Sequence, residues 1–227
     1  MARQQALSQD DLHREAMGLV RRLGLMKLVR EVGKAWVVGS VPLKLIVKPD
    51  IDIHVLVPRG ERHSVLDAPE VSAALAIARG LMERCGVHKL DLLRFLFRDA
   101  VKIGFESRVG ERTWHLDVWV TSDPEHTGLA RTRWVRRRLT PELRQAILKL
   151  KRYYAARDMC KFGMSGELYK AVIQACVRTP RQFLRYARTH ELNYADVLRM
   201  LEADARTWKR PPRRQSRRPS HRGPSCR

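Results

Sequence analysis

The stretch WVVGSVPLKLIVKPDIDIHVLV, residues 36–57, contains two short apolar runs separated by a segment with glycine and proline. The first run ends at Gly39 and Ser40, and the second surrounds Asp50 and Asp52. Runs of this length with β-branched residues predict a strand, a loop containing a short helix, and a second strand. Asp50 and Asp52 are two residues apart, so on a strand both carboxylates project from one face.

Two carboxylates on one face repel each other and need a compensating partner. Hard divalent cations such as Mg²⁺ (or Mn²⁺) prefer oxygen ligands and keep positions open for substrate phosphates. Ser40 is a good helix N-cap with Pro42 in the first turn, which predicts a helix whose free N–H groups face an anion. Gly39 allows a phosphate to approach the backbone closely. Together these features predict metal-assisted phosphoryl or nucleotidyl transfer.

The order of these residues resembles the signature of the DNA polymerase beta-like nucleotidyltransferase superfamily. That signature is an apolar residue, Gly-Ser, about ten residues, and then Asp-x-Asp inside an apolar strand. Within the superfamily, GSVP at 39–42 and KPDIDI at 48–53 are most similar to the GrpB-like group. The resemblance implies that Asp50 and Asp52 bind the catalytic metal and that Gly39 and Ser40 bind the phosphates of a nucleoside triphosphate.

Two lysines are candidates for a further phosphate contact. Leu43 and Lys44 stand where the commoner superfamily pattern has Arg-Gly. Lys44 and Lys48 are therefore the possible substitutes for that arginine in nucleotide binding.

The superfamily pattern also implies a third metal carboxylate on a later strand. In the predicted strand 114–120, alternation places His115, Asp117 and Trp119 on one face. Asp117 is the favoured third carboxylate, and Asp91, in a predicted strand at 87–97, is the alternative.

Two histidines share faces with these aspartates. His54 is two residues after Asp52, and His115 is two residues before Asp117. On a strand, each histidine therefore projects from the same face as those aspartates. For both histidines a packing role is favoured over metal ligation.

The remaining periodicity predicts an α+β fold, with a small mixed β-sheet nucleotidyltransferase core, helices on one side, and a helical C-terminal region. A helix is predicted at 69–85 and a hairpin turn at 109–112. The predicted organisation is an N-terminal helix (1–34), a catalytic core (35–122), a helical domain (123–205) and a disordered basic tail (206–227).

The helical domain contains further candidates for nucleotide contacts. A helix is predicted at 140–157, opening with Thr140, Pro141 and Glu142, and another at 165–177. The resemblance implies nucleotide contacts from these helices, whereas a structural role is the alternative. The candidates are Lys151, Tyr153, Tyr154 and Ser165.

The chain is strongly basic, with a formal net charge of +21. Five arginines lie within residues 131–138, and residues 206–227 carry nine Lys or Arg and no acidic residue. Such segments can contact nucleotide phosphates or the backbone of RNA or another nucleic acid, although a solvated basic surface is the alternative.

Composition also limits the compartment. No stretch reaches the roughly 18 apolar residues of a membrane span, and the polar N-terminus is unlike a signal peptide. The four cysteines are scattered, without a Cys-x-x-Cys pair, which is typical of reduced thiols. We therefore expect a cytoplasmic protein.

Two classes of function follow. The first is a metal-dependent nucleotidyltransferase that moves a nucleoside monophosphate from a nucleoside triphosphate to an acceptor hydroxyl. The second is a catalytically inactive protein of the same fold that binds nucleic acid or a partner through its basic surface.

Overall fold

The structure, a computed structural model, describes residues 8–60, 67–95, 99–161, 163–192 and 195–208. The strands are β1 Lys34–Val38, β2 Asp50–Leu56, β3 Leu90–Phe95, β4 Ala100–Val109 and β5 Arg112–Thr121. The helices are α1 Gln9–Arg22, α2 Leu25–Arg30, α3 Pro69–Cys85, α4 Leu129–Arg138, α5 Pro141–Ala155, α6 Met164–Gln174, α7 Pro180–Thr189 and α8 Ala195–Arg206. Within these ranges, none of the helices is long and apolar enough to cross a membrane.

The five strands form one mixed sheet in the order β1-β2-β5-β4-β3. Strand β2 runs parallel to β5, and the other neighbouring strands are antiparallel. The predicted hairpin between β4 and β5 turns at Gly110, whose positive φ of 57° suits glycine. The α+β class is therefore confirmed.

One face of the sheet forms the first core. Ile51, Ile53 and Val55 of β2 are fully buried and pack in a cluster with side chains of α1, α2 and α3. Burying each such side chain stabilises the fold by about 1.5–3 kcal/mol. Because side chains alternate along a strand, this burial directs Asp50 and Asp52 to the opposite face.

The N-terminal region differs from the prediction of a single helix within 1–34. Gly24 adopts a left-handed conformation with φ of 61° and separates α1 from α2. Both helices still direct apolar residues, such as Leu19 and Val29, into the sheet core. A glycine at this position permits the change of direction that a continuous helix would prevent.

The loop after β1 also differs from the prediction, because no helix begins at Ser40. Residues 39–44 form turns, closed by hydrogen bonds from Leu45 N to Ser40 O (2.9 Å) and from Lys44 N to Val41 O (3.0 Å). Val41 packs in the sheet core, whereas Leu43 and Leu45 pack in a second core. Turns replace a regular helix here because the segment supplies side chains to two cores.

The second core is formed by the C-terminal helices. Its fully buried side chains include Tyr154 and Phe183, whose rings make an edge contact at 5.8 Å. The predicted cap of α5 is present, with Thr140 Oγ1 accepting the Leu143 N–H. Five helices, α4 to α8, contribute to this core.

The predicted disordered tail, 206–227, includes residues that belong to the folded part. Arg206 is the last residue of α8, and Trp208 Nε1 donates hydrogen bonds to Tyr153 Oη (2.9 Å) and Asp204 Oδ2 (3.1 Å). Asp204 is itself buried and pairs with Arg157. The folded part therefore extends at least to Trp208, and the rest of the predicted tail, 209–227, lies outside the described residues.

We expect a chain ending after Ala205 to unfold at a lower denaturant concentration than a chain ending after Trp208. The shorter chain loses the indole and leaves Asp204 and Tyr153 without one donor, at a cost of about 1–3 kcal/mol. Urea denaturation followed by circular dichroism measures the difference. Equal midpoints for the two chains would contradict the packing role of Trp208.

Candidate active site

Three carboxylates meet on the face of the sheet opposite the first core. In the parallel register of β2 and β5, Asp52 lies opposite Asp117, and Asp50 lies opposite His115. Neighbouring strands are about 4.8 Å apart, and opposite residues project from the same face. The sheet therefore brings Asp117 to the Asp50–Asp52 pair, as the alternation in the sequence predicts.

The electrostatics of Asp52 reflect this crowding. Burial, followed by the charges of Asp50 and Asp117, raises the pKa of Asp52 to about 7. Burial is also the main cause of the raised pKa of Asp117, with Asp50 adding to it. The charges of Asp50 and Asp117 thus disfavour ionisation of Asp52, in addition to the larger effect of burial.

Two lysines partly neutralise the group. Lys48 Nζ lies 3.1 Å from Asp50 Oδ2, and Lys102 Nζ lies 3.3 Å from Asp117 Oδ2. Burial acts to lower the pKa of Lys48, but the carboxylates of Asp50 and Asp52 outweigh it and raise that pKa. Lys48 was predicted as a site residue, whereas Lys102 was not.

The alternation of residue types along β4 could have identified Lys102 as a candidate site residue. Polar or small residues, Lys102, Gly104 and Glu106, alternate with buried apolar ones along this strand. That pattern places Lys102 on the carboxylate face, but only the pairing of β4 with β5 brings it beside Asp117.

Gly39 makes room for Asp52. A Cβ atom at Gly39 would lie 2.9 Å from Asp52 Oδ2, and the backbone there has φ of 70°. The Gly39 N–H donates to Thr132 Oγ1 at 3.0 Å, which connects the glycine to α4. Ser40 follows Gly39 directly at this end of the site.

Lys44 is not brought to the carboxylates. Its Nζ lies 3.4 Å from Asp10 Oδ1 of α1, and its side chain is half exposed. It lines a separate basic cleft of about 260 Å³ with Arg136 and Arg144. The structure therefore gives no support to the prediction that Lys44 contacts nucleotide phosphates at this site.

The two histidines have packing and surface contacts. His54 Nδ1 accepts the Gly128 N–H at 3.0 Å, which holds the segment leading into α4 against β2. His115 is largely exposed, and its Nδ1 lies 3.1 Å from Glu106 Oε1.

Among the helical candidates, Lys151 is the one whose charge acts on a carboxylate of the site. It is buried, donates to Leu45 O (2.8 Å) and Tyr169 Oη (3.1 Å), and its charge acts to lower the pKa of Asp52. Tyr153 instead binds Asp204. Tyr154 is buried beside Phe183, and Ser165 lies in the first turn of α6.

Asp91 is level with Asp52 and Asp117 across the sheet, but it lies on β3, two strands away from Asp117. It is opposite Gly104, which in turn is opposite Asp117. Two strand spacings separate Asp91 from Asp117, about 10 Å. Asp91 is exposed on the edge strand, so Asp117 completes the group of three.

The residues present fit a divalent metal ion. Among the described residues, no set of three or more His, Cys, Asp or Glu side chains is already arranged as a metal-binding shell. Lys48 and Lys102 each contact one carboxylate oxygen instead. However, three carboxylates share this face of the sheet, and carboxylate oxygens are the donors that Mg²⁺ prefers.

The five-stranded mixed sheet, with helices on one face and a helical region after it, is a nucleotidyltransferase fold. A chain from the poly(A) polymerase complex GLD-2–GLD-3 matches with a TM-score of 0.52 and 14% identity. The match covers 86% of this chain and 64% of that one. At this identity the likeness concerns the fold alone, and the chain spans less than two thirds of that neighbour.

Two further solved structures have TM-scores of 0.49. One is the GLD-2/RNP-8 complex, at 17% identity, with coverage of 72% of this chain and 58% of that chain. The other is E. coli MS115-1 CdnC with ATP, at 13% identity, with coverage of 82% and 70%. No family model and no curated protein matches this chain.

We expect Asp52→Asn to stabilise the protein increasingly as pH rises. The pKa of Asp52 is raised from 3.8 to about 7, so the folded state binds this proton more tightly than the unfolded state. The contribution of Asp52 to the free energy of unfolding therefore becomes unfavourable as pH rises from 3.8 to about 7, and it is constant above pH 7. At pH 8 in EDTA, the gain is on the order of 2–4 kcal/mol.

Urea denaturation at pH 5 and pH 8 measures this change in the free energy of unfolding. Asp91→Asn, at the exposed edge strand, is the control and should give no comparable gain. A gain from Asp52→Asn that is the same at both pH values would contradict the raised pKa of Asp52.

Proposed function

We propose that the protein is a divalent-metal-dependent nucleotidyltransferase that moves a nucleoside monophosphate from a nucleoside triphosphate to an acceptor hydroxyl. The observation that carries the proposal is the placement of Asp52 opposite Asp117, with Asp50 on the same face. Carboxylates on neighbouring strands of this fold can hold metal ions close to the phosphates of a nucleotide. The GSVP and KPDIDI motifs favour the GrpB-like group within the superfamily.

Asp50, Asp52 and Asp117 would hold Mg²⁺ (or Mn²⁺). When bound, the metal neutralises phosphate charge and favours attack at the α-phosphorus. Gly39 and Ser40 border the space for the phosphates. The ammonium of Lys48, now paired with Asp50, can turn to a phosphate oxygen once Asp50 has another partner.

The transfer forms a bond between the acceptor oxygen and the α-phosphorus and breaks the bond from that phosphorus to the bridging oxygen. Pyrophosphate leaves with the electrons of the broken bond. The carboxylate of Asp117, on the same face as Asp50 and Asp52, takes up the proton of the acceptor hydroxyl. Lys151 adds a fixed positive charge near Asp52.

We expect Asp50→Asn, Asp52→Asn and Asp117→Asn each to reduce transfer by at least about a hundredfold, because each removes a charge from the site. Asp91→Asn is the matched control, since Asp91 lies in the same row but outside the group, and it should remain active. The measurement is the incorporation of α-³²P-labelled nucleotide into acceptors of a cell extract.

Binding of the donor is measured separately by thermal shift with Mg²⁺ and each nucleoside triphosphate. A nucleotide at a hundred times its Kd should stabilise the protein by about 2.7 kcal/mol. Full activity in any of the three site variants, or loss in Asp91→Asn alone, would overturn the assignment.

A specific observation also favours nucleic acid as a partner. Helix α4 contains five exposed arginines and no acidic residue. Its first turn is held beside the site, through Gly128 to His54 and through Thr132 to Gly39. A polyanion bound along α4 would therefore reach the carboxylates. The same surface serves the second candidate function, a catalytically inactive nucleic-acid-binding protein.

We expect replacement of Arg133, Arg136 and Arg137 with glutamine to weaken binding of single-stranded nucleic acid and to reduce its salt dependence. Each lost phosphate contact lowers the slope of log K against log salt by about 0.7. The matched control removes the same charge from the exposed side of α7, at Arg181, Arg185 and Arg188. Equal slopes for the two triple variants would show that charge alone, and not α4, determines binding.

A further inference from the structure

The basic cleft of about 260 Å³ lies where α1, the loop between β1 and β2, α4 and α5 meet. Three permanently charged side chains from three of these elements line it, Lys44, Arg136 and Arg144, together with His13 of α1. The other residues that the structure places in its wall are apolar, so none of them is acidic. The cleft shares no residue with the three carboxylates or with the lysines that contact them.

The basic side chains of the cleft also hold the backbone of the loop. Each carbonyl oxygen of residues 41–44 lies within hydrogen-bond distance of one of them. His13 Nδ1 is 2.9 Å from the first of these oxygens, and Arg136 Nη2 donates to the second at 3.4 Å. Arg144 Nη1 donates to the third at 2.6 Å and to the fourth at 3.0 Å. The positions of the cations are therefore fixed by the fold.

These contacts leave donors for a ligand. A guanidinium carries five N–H donors. In the described ranges, both hydrogen bonds of Arg144 use Nη1, and Arg136 makes one long hydrogen bond. Lys44 pairs with Asp10 at 3.4 Å, and both of these side chains are more than half exposed. Three positive charges thus face one carboxylate, and such a surplus attracts an anion.

The backbone of Lys44 supports a role for its side chain. This residue has a φ of 53°, a left-handed conformation that residues with a Cβ atom rarely adopt. Glycine would adopt it without strain. Strained residues are concentrated at sites that clamp ligands. Here the strain accompanies a lysine whose side chain lines the cleft.

We propose that the cleft is a second anion site and binds a phosphate group between Lys44, Arg136 and Arg144. Guanidinium groups form paired hydrogen bonds with phosphate oxygens, and the ammonium adds a point charge. The volume of about 260 Å³ is below the roughly 300–1,000 Å³ of typical ligand pockets, so it suits a phosphate or pyrophosphate group and not a whole nucleotide. The group belongs either to a free anion or to a nucleic-acid strand along α4.

Calorimetric titration of the full chain with pyrophosphate, in metal-free buffer, measures this binding. We expect Lys44→Gly to raise the Kd about tenfold, because hydrogen bonds between charged groups contribute on that scale. The variant should fold at least as well, since glycine suits the φ at this position. Arg136→Gln should have a similar effect. The control is Lys149→Gln, which removes a charge from an exposed position of α5 outside the cleft and should leave the Kd unchanged.

Asp10→Asn is expected to change the Kd in the opposite direction. It removes the carboxylate that pairs with Lys44, so the ammonium becomes available to the anion. Pyrophosphate should then bind about two- to fivefold more tightly, the scale of an exposed ion pair. Damage to the fold would not tighten binding, and urea midpoints of all variants show whether each is folded.

A competition experiment identifies the source of the phosphate group. A labelled single-stranded oligonucleotide is bound to the full chain, and its anisotropy is followed as pyrophosphate is added. If the cleft takes a backbone phosphate, pyrophosphate displaces the oligonucleotide and Lys44→Gly weakens both ligands. If it takes a free anion, Lys44→Gly weakens pyrophosphate alone. Either result supports a phosphate site in the cleft.

Three results would overturn the proposal. They are an unchanged Kd for pyrophosphate in both Lys44→Gly and Arg136→Gln, an equal loss in Lys149→Gln, and no gain from Asp10→Asn. The inference goes beyond the proposed function, because the titrations use neither metal ion nor nucleotide transfer. A failure here therefore leaves the carboxylate site unaffected, and inactivity of the carboxylate site would leave this binding unchanged.

Discussion

The parallel pairing of β2 with β5 is the constraint on which the rest of the structure depends. It places Asp52 opposite Asp117 while Ile51 and Ile53 are buried on the other face. Raising the pKa of Asp52 from 3.8 to about 7 corresponds to roughly 4 kcal/mol of unfavourable free energy at neutral pH. The three buried apolar residues of β2 contribute about 5–9 kcal/mol in the other direction, so the strand can hold its charges together.

The segment between β1 and β2 connects this charged face to the helical core. Val41 packs in the sheet core, and Leu45 packs among the helices. The Leu45 carbonyl accepts a hydrogen bond from the Lys151 ammonium. Gly39 at the start of the segment leaves space for Asp52, and Lys48 at its end pairs with Asp50. The same short loop thus positions the charges of the site and joins the two cores.

The carboxylates and the arginines of α4 occupy neighbouring parts of one surface. Contacts from Gly128 to His54 and from Thr132 to Gly39 hold the start of α4 at the sheet. Cations that can bind phosphates and carboxylate oxygens that can bind a metal ion are two of the groups that the proposed nucleic-acid partner would need. Their proximity is the physical basis for the nucleic-acid partner that we propose.

Local sequence patterns determined much of this protein. The alternation in β2 and β5 correctly assigned Asp50, Asp52 and Asp117 to polar faces, because burial of every second residue is a property of each strand alone. The caps and periodicity of α3 and α5 were also sufficient, since helix ends depend on nearby residues.

Only the tertiary structure decided which strands are neighbours and how the loops run. The sequence favoured Asp117 over Asp91 but left both open, and the strand order β1-β2-β5-β4-β3 places Asp117 beside Asp52 and Asp91 two strands further away. The helix expected at Ser40 is absent because that segment supplies side chains to two cores. In the resulting loop, Lys44 forms an ion pair with Asp10. Lys102 joined the site through the pairing of β4 with β5, which the sequence pattern of β4 alone does not determine.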